Sequence, residues 1–257
     1  MPKISVCIVT HNNIGCVAKA VQTLFSHTKT TELTLYISDN ASTDGTVELL
    51  TQMFENDGRV KIIRNGKNIG FGKGHNKILD KLDSDYHLIL NPDIVLIEDA
   101  LTTLVAYMEN NRNIGIITPK ILNPDGSEQF LPKRKPTVKY LLGGRLERFG
   151  GVFRKWRTEY TRRGERIEEP VDIEFCTGCF MLIRTEVFRR ISGFDERYFM
   201  YFEDADLTRE VLKTHRTVFF PHMSVVHEWT RMSSKNLKYF LIQLKSMFIY
   251  MLKWRKQ

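Results

Sequence analysis

Apolar runs and amphipathic stretches take turns along the first 120 residues. Residues 4–10, "ISVCIVT", form a continuous β-branched run and predict a fully buried strand. After the polar His11-Asn12-Asn13, the residues Val17, Ala20, Val21, Leu24 and Phe25 recur at helical spacing. Residues 33–38, "LTLYIS", predict a second strand that ends at Asp39-Asn40. Asp44 is placed to cap a helix through Val47, Leu49, Leu50 and Phe54. "VKIIRN" (60–65) predicts a third strand, 73–83 a helix, "YHLILN" (86–91) a fourth strand, 98–110 a helix and "IGIITPKIL" (114–122) another strand, closed by the turn sequence Asn123-Pro124-Asp125-Gly126. Strands alternating with helices build parallel βαβ units, so the expected class is α/β with a doubly wound, mostly parallel sheet. Such sheets bind ligands beyond the carboxyl ends of their strands. Three of the expected strands end there in polar clusters: Thr10-His11-Asn12, Ser38-Asp39-Asn40 and Asn91-Pro92-Asp93.

The second half is less regular. Residues 130–170 are basic, interrupted by Gly143-Gly144 and Gly150-Gly151, and read as loop or mobile insertion. "IEFCTGCFMLIR" (173–184) reads as strand with a glycine interruption, 202–215 as a helix with an acidic first turn, "TVFFP" (217–221) as a short strand and 234–254 as a final helix. The chain is therefore expected to divide into a domain over 1–232, with a regular α/β half (1–125) and a less regular half (126–232), followed by a basic amphipathic helix over 233–257.

Composition adds the distribution of charge. The formal net charge is +8. Lys133 to Arg166 hold twelve Lys or Arg against three Glu, and after Glu228 there are seven basic residues and no acid. Two basic zones suggest anionic surfaces to meet: phosphate, nucleic acid or an anionic membrane; a plain solvated surface is the alternative. In the last helix Leu237, Phe240, Leu241, Leu244, Met247, Phe248 and Met251 form an apolar stripe flanked by Lys238 and Lys245, with Trp254, Arg255 and Lys256 after it. That pattern suits an interfacial helix on anionic lipid, or packing on its own domain or a second copy of the chain. No apolar stretch reaches the ~20 residues of a membrane-spanning helix, and no signal peptide is read at the start, so the expected location is cytoplasmic, either soluble or peripheral on the cytosolic side of a membrane. Cys176-Thr-Gly-Cys179 has redox or zinc spacing but lacks a second pair; a buried apolar role is expected.

Several constellations are candidates for chemistry. "NIGFGKGHN" (68–76) carries three glycines in five residues ahead of a helix, a loop that lets backbone amides approach a phosphate or a base. Asp93, at a strand end, is a hard-metal ligand candidate or a turn former. Between Gly193 and Asp206 five acids stand among aromatics: Asp195, Glu196, Glu203, Asp204 and Asp206. They are either a favourable helix N-terminus with an Asp206–Arg209 pair, or a source of a general base whose pKa the aromatics raise. His227 follows Val225-Val226; a lone histidine is usually structural.

Taken together, "SVCIVTHNN", "YISDNASTDGT", "NIGFGKGHN", "LILNPDI", "GCFMLIRTEVFRRISGFDERYFMYFEDADLTRE" and "VVHEW" resemble, in order and spacing, the family 2 glycosyltransferases over residues 3–230. The branch resembled most is the rhamnosyltransferase-like one of bacterial surface polysaccharide assembly. The resemblance implies a GT-A fold and inverting transfer of a sugar from a nucleotide diphosphate donor, dTDP-rhamnose first and a UDP-sugar next, to a hydroxyl of a glycan or polyprenyl-diphosphate-linked acceptor. It implies that Thr10, Asn12 and Asp39 line the base pocket, and that Gly70, Phe71, His75 and Asn76 contact the nucleoside. Asn91 and Asp93 stand in the positions of the D-x-D carboxylates, and Asp93 with His227 would hold a divalent ion, Mg²⁺ or Mn²⁺. Asp204 would be the catalytic base and Glu203 would position the acceptor. Asn91 departs from the family pattern, where a carboxylate is usual, and weakens the implied metal site. The Q-x-x-R-W motif of processive synthases is absent, which implies one sugar per encounter. A nucleic-acid-binding α/β protein is the rival class, but aromatics do not interleave with the basic zone as stacking platforms would. An inactive GT-A-like binding protein is the other, and the presence of Asp93, Asp204 and His227 argues against it.

Overall fold

The computed structural model describes residues 2–29, 32–228 and 237–255. Strands β1 (Lys3–Thr10), β2 (Glu32–Asp39), β3 (Val60–Arg64) and β4 (Tyr86–Leu90) run parallel, and α1 (Val17–His27), α2 (Thr46–Phe54) and the short α3 (Phe71–Asn76) lie between them in sequence. Then follow β5 (Ile94–Leu96), α4 (Ala100–Asn110), β6 (Ile114–Leu122), α5 (Val138–Leu146), α6 (Gly151–Thr161), β7 (Val171–Asp172), β8 (Phe180–Arg184), α7 (Thr185–Arg190), α8 (Glu203–Val211), β9 (Arg216–His227) and α9 (Leu237–Lys253). All nine described strands join one sheet in the order β3-β2-β1-β4-β8-β6-β9-β5, with β7 also on β9. β5, β7 and β8 are antiparallel to their neighbours, so the sheet is mixed but mostly parallel.

Why the β1 run is apolar throughout follows from its place in the middle of the sheet. Val6 and Ile8 pack into the core on one face, with Leu24, Leu88 and Leu104, while Cys7 and Val9 pack into the other, with Ile89, Met181 and Phe188. A strand covered on both sides has no polar face to show. A third cluster lies off the sheet and joins Tyr140, Tyr160, Tyr198, Phe202, Tyr250 and Trp254, from α5, α6, α9 and the segment leading into α8.

Three expectations are corrected. The helix expected over 73–83 stops at Asn76 and resumes only as a 3-10 turn over Leu79–Lys81. Residues 130–170 are not a loop throughout. They hold α5 and α6, and Gly143, taken as a breaker, is where the two pack: a Cβ there would sit 2.8 Å from Trp156 Cβ. Finally, the strand expected to stop at Pro221 continues to His227. Its partner register jumps from Pro119↔Phe220 to Lys120↔Ser224, so Pro221 bulges out of the ladder, where its missing N–H costs nothing. Of the helix expected over 234–254 and its tail to 257, residues 234–236, 256 and 257 lie outside the described residues.

Candidate active site

The carboxyl ends of β1, β2 and β4 stand side by side. Thr10 is in register with Asp39, and Ile8 with Leu90, the residue before Asn91. Asp39 is buried and held on both oxygens: Thr10 Oγ1 donates to Oδ1 at 2.8 Å and Ser42 N to Oδ2 at 3.0 Å. Asn12, in a left-handed conformation (φ 59), accepts from Thr43 N at 2.8 Å, so the chain after β1 is laced to the chain after β2. Beside them Asn40 donates to the Gly70 carbonyl at 3.1 Å. Gly70 has φ +90, and a Cβ on it would lie 2.2 Å from the Phe199 carbonyl oxygen. Only glycine fits there, since the next residue, Phe71, donates its N–H to that same oxygen at 3.0 Å.

Asn91 N donates to Cys179 O at 2.9 Å, which ties the end of β4 to the start of β8. One residue earlier, Gly178 N donates to Asp204 Oδ2 at 3.2 Å. The glycine forms a floor between Phe71 and Asp204: a Cβ there would stand 3.1 Å from the Phe71 ring and 3.6 Å from Asp204 Cβ. Asp93 comes to the same edge opposite the end of β9. Its carbonyl accepts from Glu228 N at 2.9 Å, and its Oδ1 lies 3.3 Å from His227 Nε2.

The ring of His227 is oriented by Gln129. The Gln129 amide nitrogen donates to His227 O at 3.1 Å, which turns its oxygen toward His227 Nδ1, also at 3.1 Å. That oxygen can only accept, so Nδ1 carries a proton, and in the neutral ring Nε2 presents its lone pair to the Asp93 carboxylate. Two lone pairs at that distance suit a cation shared between them. A buried imidazole with its far nitrogen anchored and a carboxylate oxygen that accepts no hydrogen bond are a fitting donor pair for a divalent ion. Among the described residues no third His, Cys, Asp or Glu joins them, so phosphate oxygens and water would have to complete the coordination.

At the N-terminus of α8 two adjacent carboxyls differ in surroundings. Asp204 is part-exposed, and besides Gly178 it accepts from Ala205 N at 2.9 Å. Glu203 is buried and its Oε2 makes no hydrogen bond. Burial raises both pKa values. For Glu203 burial and then the Asp204 charge push the carboxyl up to about 8. For Asp204, burial is opposed by the Gly178 N–H, the nearby Lys133 charge and the Ala205 N–H. The environment therefore separates the roles: Asp204 carries the negative charge and Glu203 keeps its proton at neutral pH. Because the Glu203 pKa is raised on folding, its contribution to stability is fully present below the ordinary glutamate range and is lost as pH rises through about 8. Glu203→Gln is expected to leave stability unchanged at pH 4 and to raise it by about 2 kcal/mol at pH 9, read from urea unfolding at both values. An equal effect at both would mean that Glu203 titrates as an exposed group.

A sequence profile described as glycosyl transferase family 2 matches residues 5–192, most of the chain; Glu203, Asp204 and His227 lie beyond the match. The chain belongs to glycosyl transferase family 2. An N-acetylglucosaminyl-diphospho-decaprenol L-rhamnosyltransferase of Mycobacterium tuberculosis is 30% identical to this family 2 chain over 211 residues, 76% of this chain and 66% of that enzyme. The chain thus spans just under two thirds of that relative's length. The rhamnosyltransferase WbbL of Escherichia coli is 30% identical over 203 residues, 72% of each protein. Among solved structures, the mannosyltransferase PcManGT from Pyrobaculum calidifontis, in complex with GDP-Man and Mn²⁺, superposes with a TM-score of 0.62 at 13% identity, covering 90% of this chain and 58% of that one. The fold is the GT-A fold expected from the sequence.

In this family 2 chain not every expected site residue faces the crevice. Thr10, Asn12, Asp39, Gly70, Phe71, Asn91, Asp93, Asp204 and His227 gather at the carboxyl edge of the sheet. His75 does not: it is fully buried against Phe71 and Phe194, its ring nitrogens make no hydrogen bond, and burial holds it neutral. Asn76 turns the other way, donating to Phe194 O at 2.8 Å and accepting from Phe194 N at 2.9 Å. Both residues support Phe71 and the 194 segment from behind, because α3 turns them away from the edge. The Asp206–Arg209 pair, one of the two alternatives for the acidic stretch, does not form. Asp206 accepts from Lys253 Nζ and Trp254 Nε1, both at 2.7 Å, and Arg209 lies over the Trp254 ring at 4.1 Å. Of the basic zone, Arg134, Lys139, Arg157, Arg162 and Arg163 pair with Glu165, Glu159 or Glu147. Cys176 and Cys179 are buried, unbridged thiols whose pKa burial raises. Sequence reading missed Gln129 and the role of Gly178. Only Gly178 carried a signal, as a glycine inside a strand-like run, which marks close backbone approach.

Proposed function

We propose that this chain transfers one sugar at a time, with inversion, from a pyrimidine nucleotide diphosphate sugar to a hydroxyl of a lipid-linked glycan, with dTDP-rhamnose the favoured donor and a UDP-sugar next. The observation that carries the reading is the meeting, at one sheet edge of a family 2 chain, of the Asp93–His227 pair and the unequal Glu203–Asp204 pair. The names of the mycobacterial and E. coli relatives support rhamnose as the sugar, and the decaprenol diphosphate in the first supports a polyprenyl-linked acceptor.

The chemistry needs one base and a clamp for the leaving group. The acceptor oxygen attacks the anomeric carbon from the face opposite the diphosphate; that C–O bond breaks, and the hydroxyl proton passes to Asp204. Protonated Glu203 donates a hydrogen bond that orients the acceptor. Asp39 and Thr10 present the base pocket, with Phe71 beside them. Asp93 and His227 would hold a divalent ion, Mg²⁺ or Mn²⁺, that neutralises charge on the departing diphosphate. Asn91 leaves that site one carboxylate short of the usual pair.

Thermal-shift titration with dTDP-rhamnose and UDP-sugars, with and without Mn²⁺, tests the reading. Stabilisation is expected with one pyrimidine diphosphate sugar, larger with the ion. Asp93→Asn is expected to weaken that donor by roughly tenfold or more. If no pyrimidine diphosphate shifts the melting temperature, the proposal fails.

A further inference from the structure

Large apolar side chains are exposed mainly in one region. Of twelve exposed large hydrophobics among the described residues, nine lie on α5, on α9, or at the turn into and start of α6. On α9, Leu237, Leu241, Leu244, Phe248 and Leu252 follow helical spacing and are 38–72% exposed. Ser246, Tyr250 and Trp254, on the opposite side, are buried. The apolar stripe expected from the sequence is thus split: Met247 and Met251 pack toward the domain, and Leu252 joins the outer row.

The outer row of α9 does not stand alone. Arg145 of α5 stacks over Phe240 at 4.0 Å, while Val138, seven residues earlier, lines the same groove as Phe248 and Leu252. Seven residues of α5 and eight of α9 are each about 11–12 Å long at the rise of a helix. The two helices therefore lie antiparallel and side by side. Val138 and Leu142, 58% and 45% exposed, extend the apolar row of α9 into a two-helix patch.

The charge around the patch selects what covers it. Neither α5 nor α9 contains an acidic residue, while Arg145, Lys238 and Lys245 stand on them and Lys135 and Arg255 border the groove; Lys139, also on α5, pairs with Glu159. A second copy of the chain would bring lysines against lysines. No described helix is long and apolar enough to cross a membrane. We propose that α5 and α9 together form a docking platform that lies flat on an anionic lipid surface, with Val138, Leu142, Leu241, Leu244, Phe248 and Leu252 in the interface and the basic residues at the headgroups. The inner side of α9 holds the segment before the carboxylate pair, since Ser246 Oγ donates to Met200 O at 2.8 Å. A docked platform would therefore stand next to the candidate acceptor side of the crevice.

The proposal goes beyond sugar transfer, and its test needs no donor or acceptor. The full-length protein is floated with vesicles of phosphatidylcholine alone and of phosphatidylcholine with 30% phosphatidylglycerol, a composition chosen for the assay. Recovery with the anionic vesicles is expected to exceed that with neutral ones by about tenfold at physiological salt and to fall as salt rises. Leu244→Glu with Phe248→Glu, and separately Val138→Glu with Leu142→Glu, are each expected to lower it by about tenfold. Both pairs are exposed, so circular dichroism and melting temperature should match the parent. Binding lost with the α9 pair but untouched by the α5 pair would overturn the two-helix platform. No recovery with anionic vesicles, or a dimer by light scattering that the same substitutions dissociate, would overturn lipid as the occupant.

Discussion

Asp204→Asn is expected to lower the rate of sugar transfer by about 10³-fold while nucleotide-sugar affinity stays within about twofold. The amide keeps the shape of the carboxylate; Gly178 N and Ala205 N meet different oxygens of Asp204, so the single amide oxygen keeps one of the two hydrogen bonds and the N-terminus of α8 should largely hold its form. What it cannot do is take a proton from an attacking hydroxyl. The donor is expected to contact β1, β2 and the Asp93–His227 pair and so should be indifferent to the change. Single-turnover rates and donor titration on the same preparation separate the two quantities. Full activity would remove Asp204 as the base, and equal losses of rate and affinity would make it a donor ligand instead.

Asp206→Ala is expected to destabilise the protein by about 3 kcal/mol, a fall in melting temperature of about 6–12 °C for a chain of this length. Burial raises the Asp206 pKa, and the Lys253 and Trp254 donors oppose that rise; both stand at 2.7 Å from a carboxylate that is 1% exposed. Removing it strands the indole N–H in the third core cluster and leaves Lys253 to Asp195 and Glu210 alone. Asp206→Asn keeps an acceptor for the indole and should cost less. Because α8 opens with Glu203 and Asp204, activity should fall in Asp206→Ala more than the folded fraction does. An unchanged melting temperature would show that the ion pair contributes nothing net.

The parallel half of the sheet could be read from the chain because its central strands β1 and β4 are buried on both faces and end in short polar clusters. The grouping of Thr10, Asp39, Asn91 and Asp93 at one edge follows from that topology alone. The second half was harder to read, since its contacts span long stretches of sequence. Asp206 has a cation three residues away in Arg209, yet its partners are Lys253 and Trp254, 47 and 48 positions on. α5 and α6 escaped notice because glycines and basic residues interrupt their spacing, and the aromatics they bury, Tyr140 and Tyr160, have cluster partners as far off as Trp254. β9 looked truncated because a proline normally ends a central strand, and nothing local announces the bulge that carries the strand on to His227.

The clasp between α9 and α8 also sets an order of assembly. A chain made from its N-terminus presents β1 to β4 early, and these can pair with each other before anything downstream exists. Glu203 and Asp204 leave the ribosome some fifty residues before Lys253 and Trp254, so for that interval the carboxylate pair sits on a helix with no hold on its far side. The half built on β1 to β4 can take shape while translation continues, and the end that carries Glu203 and Asp204 is completed only when α9 closes over it.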